Sequence, residues 1–172
     1  MNQHYFALFG LSPAFDIELK TLESNYRKIQ SESHPDRFII ATSAEKLASM
    51  QMATLANEAY QTLKNPANRA KYLLELHGIT AVSDNNTAMP MQFLMQQMEW
   101  REAIEDARSA KDIATLEDLF HEMQAESKSL QAHLTQLLDE KKDYATGVET
   151  TRKLIFIDKV CADIQKAIEQ LE

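Results

Sequence analysis

Apolar residues recur along the chain at steps of three and four, and the breaks in that rhythm divide it into helices. HYFALFG is a short apolar helical turn closed by Gly10, and SPAFD follows as a loop in which Asp16 is placed to cap the next element. IELKTLESNYRKIQSES then sets Leu19, Leu22, Tyr26 and Ile29 at helical spacing, with Lys20, Arg27 and Lys28 elsewhere on the cylinder. The rhythm stops at SESHPDRF, residues 31–38. It restarts in ATSAEKLASMQMATLANEAYQTLKN, where Thr42 and Glu45 stand in capping-box register and Met52, Leu55, Ala59 and Leu63 form the expected inward stripe. Asn65 caps a further helix, PANRAKYLLELH, with Pro66 at its first position and Gly78 after its end.

Residues 79–88, ITAVSDNNTA, have no helical period and read as the joint between a first domain, 1–78, and a second, 89–172. Three long periodic stretches follow, about 90–108, 112–139 and 143–171, broken near SAKD and KKDYATG. The middle one repeats Leu116, Phe120, Met123, Ser127, Leu130, Leu134 and Leu137. Short connections make neighbours antiparallel, which predicts a three-helix bundle.

The first of these stretches, MPMQFLMQQMEWREAIEDARSA, carries too many apolar residues for one helix face. At about 100° per residue, Phe93, Trp100, Ile104 and Ala107 fall on one side, and Leu94, Met95 and Met98 nearly opposite. Glu99, Glu102 and Asp106 lie beside the second group within about 140° of arc. An apolar patch with an acidic margin suits a surface that buries area yet selects a basic partner, and methionine adapts well to such a role. The pattern also fits a helix whose second apolar group meets another neighbouring helix, so periodicity leaves both readings open. In the last helix the main stripe is Leu154, Ile157, Cys161, Ile164, Ile168 and Leu171, with Phe156 on a flank where it extends the patch and Ile155 nearly opposite the stripe's centre.

Composition supports an all-α fold: three glycines and four prolines in 172 residues leave few breaks, and strong helix formers abound. The single cysteine, Cys161, reads as a small buried hydrophobe and excludes a disulfide framework or a multi-cysteine metal site, which fits a reducing compartment. The N-terminus MNQHYFALFG has no basic region leading into a long apolar run, and no stretch approaches the roughly 18 apolar residues of a membrane span, so a cytoplasmic protein is expected. Residues 1–78 carry 8 basic and 8 acidic side chains and residues 79–172 carry 10 and 18, so the net −8 belongs to the second half. That half is a poor partner for nucleic acid or acidic membranes.

Proline cannot continue a helix and biases its predecessor towards extended geometry, so His34 and Asp36 are expected in a fixed loop around Pro35. A solvated turn histidine is the plain alternative. An enzyme using His34 and Asp36 as a proton-transfer pair is a third reading, but no nucleophile, second nearby histidine, Gly-rich phosphate loop or H-E-x-x-H accompanies them. Neither a catalytic residue, a cofactor nor a metal is expected. His4, His77, His121 and His133 are scattered and read as surface or structural, and Tyr5, Tyr60, Tyr72 and Trp100 as core.

NYRKIQSESHPDRF and LANEAYQTLKNPANRAKYL together resemble a J-domain, the module by which co-chaperones stimulate ATP hydrolysis in DnaK-type chaperones. The resemblance implies that His34, Pro35 and Asp36 contact the chaperone ATPase domain, with Lys20, Arg27, Lys28 and Arg37 docking it through charge. Ser31, Glu32 and Ser33 depart from the basic and then aromatic residues that many J-domains carry there, which argues against promiscuous pairing with a general chaperone. With NRAKYLLELHG, FLMQQMEWREAIEDA and TRKLIFIDK added, the whole chain is similar to the HscB family of co-chaperones of iron–sulfur cluster biogenesis. That resemblance implies a bundle that binds the scaffold protein IscU through Leu94, Met95, Met98, Glu99, Glu102, Asp106 and Phe156, and a J-domain that delivers the complex to the chaperone HscA. Some eukaryotic members carry an N-terminal cysteine pair for zinc. This chain has none and is similar to the bacterial type. The alternative is a J-domain co-chaperone that works with a general DnaK-type chaperone, or one whose bundle serves a different client or only dimerises.

Overall fold

The computed structural model describes residues 4–83 and 88–172. The fold is all-α, and its contacts divide it into two compact units, one ending at Leu73 and the other beginning at Leu74, inside one helix.

The first unit opens with α1 (Tyr5–Leu8), whose start is capped by His4: its Nδ1 accepts the Ala7 N–H at 3.0 Å. Gly10 ends this turn at φ 68°, a left-handed conformation that favours glycine. Phe6, Phe9 and Phe15 are buried beneath the hairpin of α2 (Leu19–Glu32) and α3 (Ser43–Lys64). Tyr26 of α2 stacks on Tyr60 of α3 with ring centroids 4.0 Å apart, and its hydroxyl donates to Asn57. Asp16 is not the cap of α2. The helix starts three residues later behind Glu18, which makes no side-chain cap bond, because Phe15 turns inward and its carbonyl is held by the Arg69 guanidinium at 2.6 Å.

Thr42 caps α3, accepting the Glu45 N–H at 3.1 Å. The inward stripe of α3 differs from the expected one: Ser49, Ala56, Ala59 and Leu63 are buried, Leu55 is half-buried and Met52 is exposed. Small side chains let α2 and α3 approach closely, so position on the wheel outweighs side-chain size. In α4 (Pro66–Leu76), Asn65 accepts the Asn68 N–H, and Gly78 follows at φ 77°. Arg69 is buried here, its guanidinium donating to the Phe15 and Leu63 carbonyls and lying 4.9 Å over the Phe15 ring.

The second unit contains α5 (Met91–Ser109), α6 (Ile113–Leu134), a π-helical turn (Thr135–Glu140) and α7 (Tyr144–Leu171), within one residue of the stretches expected from periodicity. Two turns use the same device. Lys111 and Lys142 adopt positive φ, and the aspartate after each caps the next helix. Asp112 accepts the Thr115 N–H and hydroxyl at 3.1 and 2.6 Å, and Asp143 accepts those of Thr146 at 3.2 and 2.7 Å. The π turn widens the helix so that adjacent Leu137 and Leu138 are both buried, and Gly147 lets α7 pass Leu138, whose Cδ2 would stand 2.6 Å from an added Cβ.

In α7, Val160 and Ala167 take buried positions expected of Cys161 and Ile168, since a 3.6-residue turn drifts against a 3.5-residue stripe over 28 residues. Cys161 is therefore half-buried rather than a core residue, and its thiol pKa is pushed up by burial and then by the Asp158 carboxylate. Of the joint expected at 79–88, residues 84–87 lie outside the described residues. On either side, Arg152 donates to the Ala81 and Ala88 carbonyls at 2.6 and 3.0 Å, and His77 stacks on Tyr144.

Two predictions follow from these helices. The Thr151 hydroxyl is fully buried without a hydrogen-bond partner, so Thr151→Val should stabilise the protein by about 1 kcal/mol in thermal denaturation. The Asp112 and Asp143 pKa values are lowered, first by the Thr115 and Thr146 hydroxyls and then by their backbone N–H groups. Their contribution is thus present above the ordinary carboxylate pKa near 4 and lost as pH falls through the lowered values. An Asp112→Asn/Asp143→Asn variant should lose melting temperature less steeply than the parent below about pH 4.

Candidate interaction sites

Two surfaces collect the residues singled out in the sequence. On the first unit, α2 ends at Glu32 with Ser33 as its C-cap, the Ser33 N–H donating to the Ile29 carbonyl at 2.9 Å. Ser33 is buried, and its own carbonyl accepts the Ser49 hydroxyl of α3 at 2.7 Å. The chain leaves this clamp through His34, which is extended at φ −62° and ψ 136°, into the 3₁₀ turn Pro35–Phe38. His34 and Asp36 both stand exposed.

The Asp36 N–H donates to His34 Nδ1 at 3.2 Å, so that nitrogen accepts and the ring proton sits on Nε2. An accepting nitrogen has no proton to offer Asp36 Oδ2 at 3.5 Å, so the two residues are joined by the shorter, backbone-donated bond. The carboxylate and the Nε2–H are left facing solvent.

His34, Pro35, Asp36 and Arg37 line an open groove of about 710 Å³ with Arg27 and Ala53. Arg27 also forms an exposed ion pair with Glu23 at 2.7 Å, worth a few tenths of a kcal/mol and cheaply surrendered to a partner. Lys20 shares Arg27's azimuth but lies two turns, about 10.5 Å, along the axis, in a separate groove with Leu19, Tyr60 and Lys64. Lys28 is exposed about 100° round the helix and lines neither groove. Arg27 and Arg37 are therefore the two expected docking cations beside the loop.

On the second unit, α5 divides as its wheel predicts. Phe93, Trp100, Ile104 and Ala107 are buried, while Leu94, Met95 and Met98 are 39%, 58% and 70% exposed. Met91 extends the exposed strip by a turn and was recoverable from the sequence, lying seven residues before Met98. Glu99, Glu102 and Asp106 are exposed along one side. Phe156 stands apart from that acidic side. It is half-buried, edge-on to Phe93 at 5.7 Å, near-parallel to Trp100 at 6.2 Å, and covered by Arg101 at 5.7 Å. With Arg101, Ile104 and Arg108 it lines a groove of about 340 Å³ between α5 and α7. The apolar strip thus runs between an acidic margin and one of mixed charge, where Arg101 covers Phe156 and Arg108 pairs with Glu105 at 3.6 Å. Ile155 is half-buried.

His121 and His133 are exposed on α6, and among the described residues no cluster of three or more histidine, cysteine or acidic side chains is arranged to hold a metal ion. No helix among them is long and apolar enough to cross a membrane.

The family model described as the HSCB C-terminal oligomerisation domain matches residues 89–165. A co-chaperone protein HscB homolog from Azoarcus sp. is 45% identical, the match covering 100% of this chain and 97% of that protein. One from Burkholderia thailandensis is 47% identical, with 100% and 98% covered. The solved structure of chaperone HscB from Vibrio cholerae is 35% identical with a TM-score of 0.84, covering 99% of this chain and 100% of that one. Human co-chaperone protein HscB is 28% identical with a TM-score of 0.87, covering 95% and 81%.

The Ser49 bond generates its own prediction. Ser49→Ala leaves a buried carbonyl unsatisfied at the entrance to the loop, costing about 1–2 kcal/mol, and should speed amide exchange at Asp36 and Arg37. Unchanged exchange at both would show that the clamp does not hold the loop.

Proposed function

The chain belongs to the HscB family of co-chaperones, and on that premise we propose that it is an adaptor without an active site of its own, working in the cytoplasm in iron–sulfur cluster assembly and transfer. The bundle grips the scaffold protein IscU through Leu94, Met95, Met98, Glu99, Glu102 and Asp106, with Phe156 at the edge. The HPD loop, His34, Pro35 and Asp36, stimulates the ATPase of the DnaK-type chaperone HscA, with Arg27 and Arg37 steering the encounter and Lys20 and Lys28 adding longer-range charge.

The observation that carries this reading is the separation of apolar faces on α5: one is committed to the core, and Leu94, Met95 and Met98 are left to solvent beside three carboxylates. Such a strip buries area against a partner while its margin selects a basic one. The word oligomerisation in the matched family's description raises a second reading, self-association through the same strip. A two-fold dimer that packs α5 antiparallel on its own copy would place Glu99, Glu102 and Asp106 of each near those of the other, a repulsion that an unlike, basic partner avoids.

Purified IscU should bind the intact protein, and Met98→Asp should weaken binding at least tenfold, about 1.4 kcal/mol or more, without changing the melting temperature. Asp36→Asn should leave scaffold binding intact and return HscA to its basal ATPase rate. Equal binding by parent and Met98→Asp would remove the strip from the interface, and a dimeric parent made monomeric by Met98→Asp would select self-association.

A further inference from the structure

Directly after the 3₁₀ turn come Ile39 and Ile40, 71% and 99% exposed, and on the first two turns of α3 Leu47 and Met50 are exposed as well. Single exposed hydrophobics are ordinary, but these four fall within twelve residues, in the stretch between Arg37 and Ala53 that line one groove. They contribute little to the fold. Burying an isoleucine against a partner, by contrast, is worth about 2 kcal/mol.

Along the sequence they adjoin residues that line the groove from both sides. Arg37, which lines it, is two residues before Ile39. Ala53, which lines it from α3, is one turn after Met50, and Leu47 is one turn earlier again. The Ser49–Ser33 bond holds this part of α3 against the entrance to the loop. Lys46, exposed and one turn from both Ser49 and Met50, brings a positive charge beside the apolar residues, as Arg37 does beside the loop.

Area gives the second reason. A specific protein interface needs about 800 Å² from each partner, far more than one tripeptide offers, so whatever docks on the groove must spread over the adjoining surface. We propose that the HPD site continues over an apolar shelf of Ile39, Ile40, Leu47 and Met50, and that the same DnaK-type chaperone covers it with an apolar segment flanked by acidic residues. This rests on the assignment of the HPD loop to that chaperone. Contacts of this kind hold the complex before and during hydrolysis alike, so they set the concentration at which stimulation occurs rather than its ceiling.

The test is stimulation of HscA ATPase over a range of co-chaperone concentrations, comparing the full chain with Ile39→Ser/Ile40→Ser and with Leu47→Gln/Met50→Gln, which keep good helix formers on α3. Each double variant should raise the half-saturating concentration about tenfold or more while the maximal rate and the melting temperature hold, whereas Asp36→Asn abolishes stimulation at any concentration. An unchanged half-saturating concentration in both double variants would overturn the shelf and leave the HPD assignment standing. A parent that does not stimulate at all would overturn that assignment and the shelf with it. A parent that sediments as a dimer and variants that sediment as monomers would replace the chaperone with a second copy of this chain.

Discussion

A helix in a three-helix bundle has one face to give to the core, and the face that α5 gives is set by an aromatic trio. Phe93 meets both Trp100 and Phe156 edge-on, at 6.0 and 5.7 Å, and Trp100 lies near-parallel to Phe156. Each such contact adds about 0.5–1.5 kcal/mol to simple area burial. Rotating α5 to bury Met95 and Met98 would break all of them and expose Trp100, whose indole N–H also donates to Glu122. The outward strip is therefore a consequence of core packing. Its acidic margin and the place of Arg101 follow from the same azimuth, since Glu102 lies beside Met98 and Arg101 is carried round to cover Phe156.

The HPD loop owes its shape to a comparable constraint on the backbone. Pro35 forbids continuation of α2, Ser33 caps that helix from a buried position, and Ser49 fixes the carbonyl that leads into His34. A loop ordered in advance loses less entropy on docking than one that must be shaped by its partner. The bond between the Asp36 N–H and His34 Nδ1 adds to this order while leaving the carboxylate outward. Positioning here comes from two neutral serines, and the charged groups stay exposed to solvent.

Features that depend on local spacing were legible in the sequence. The HPD break, the Thr42 and Asn65 caps, the three bundle helices and the split wheel of α5 all follow from residues within a turn or two of one another. What escaped depends on distant partners. Asp16 loses the cap of α2 to a turn organised by Arg69, 54 residues from the Phe15 carbonyl it holds. Met52 yields its place to Ala56 because the spacing of two helices, not the size of one side chain, decides what fits. The Ser33–Ser49 clamp joins two residues with no signature of their own, and the π turn that buries Leu137 and Leu138 together breaks the period used to find it. The J-domain resemblance grouped Lys20 and Lys28 with Arg27, but only azimuth and axial distance separate the one that lines the loop's groove.

If the bundle strip and the HPD loop serve two macromolecules at once, holding the scaffold in place should make the chaperone's response greater than the loop alone produces. The direct measurement is the steady-state ATPase rate of HscA with this protein, with IscU, and with both. The account predicts that the rate with both exceeds the sum of the two separate stimulations, and that Met98→Asp removes this excess while keeping the stimulation by the co-chaperone alone. Additive rates with the intact protein would contradict it.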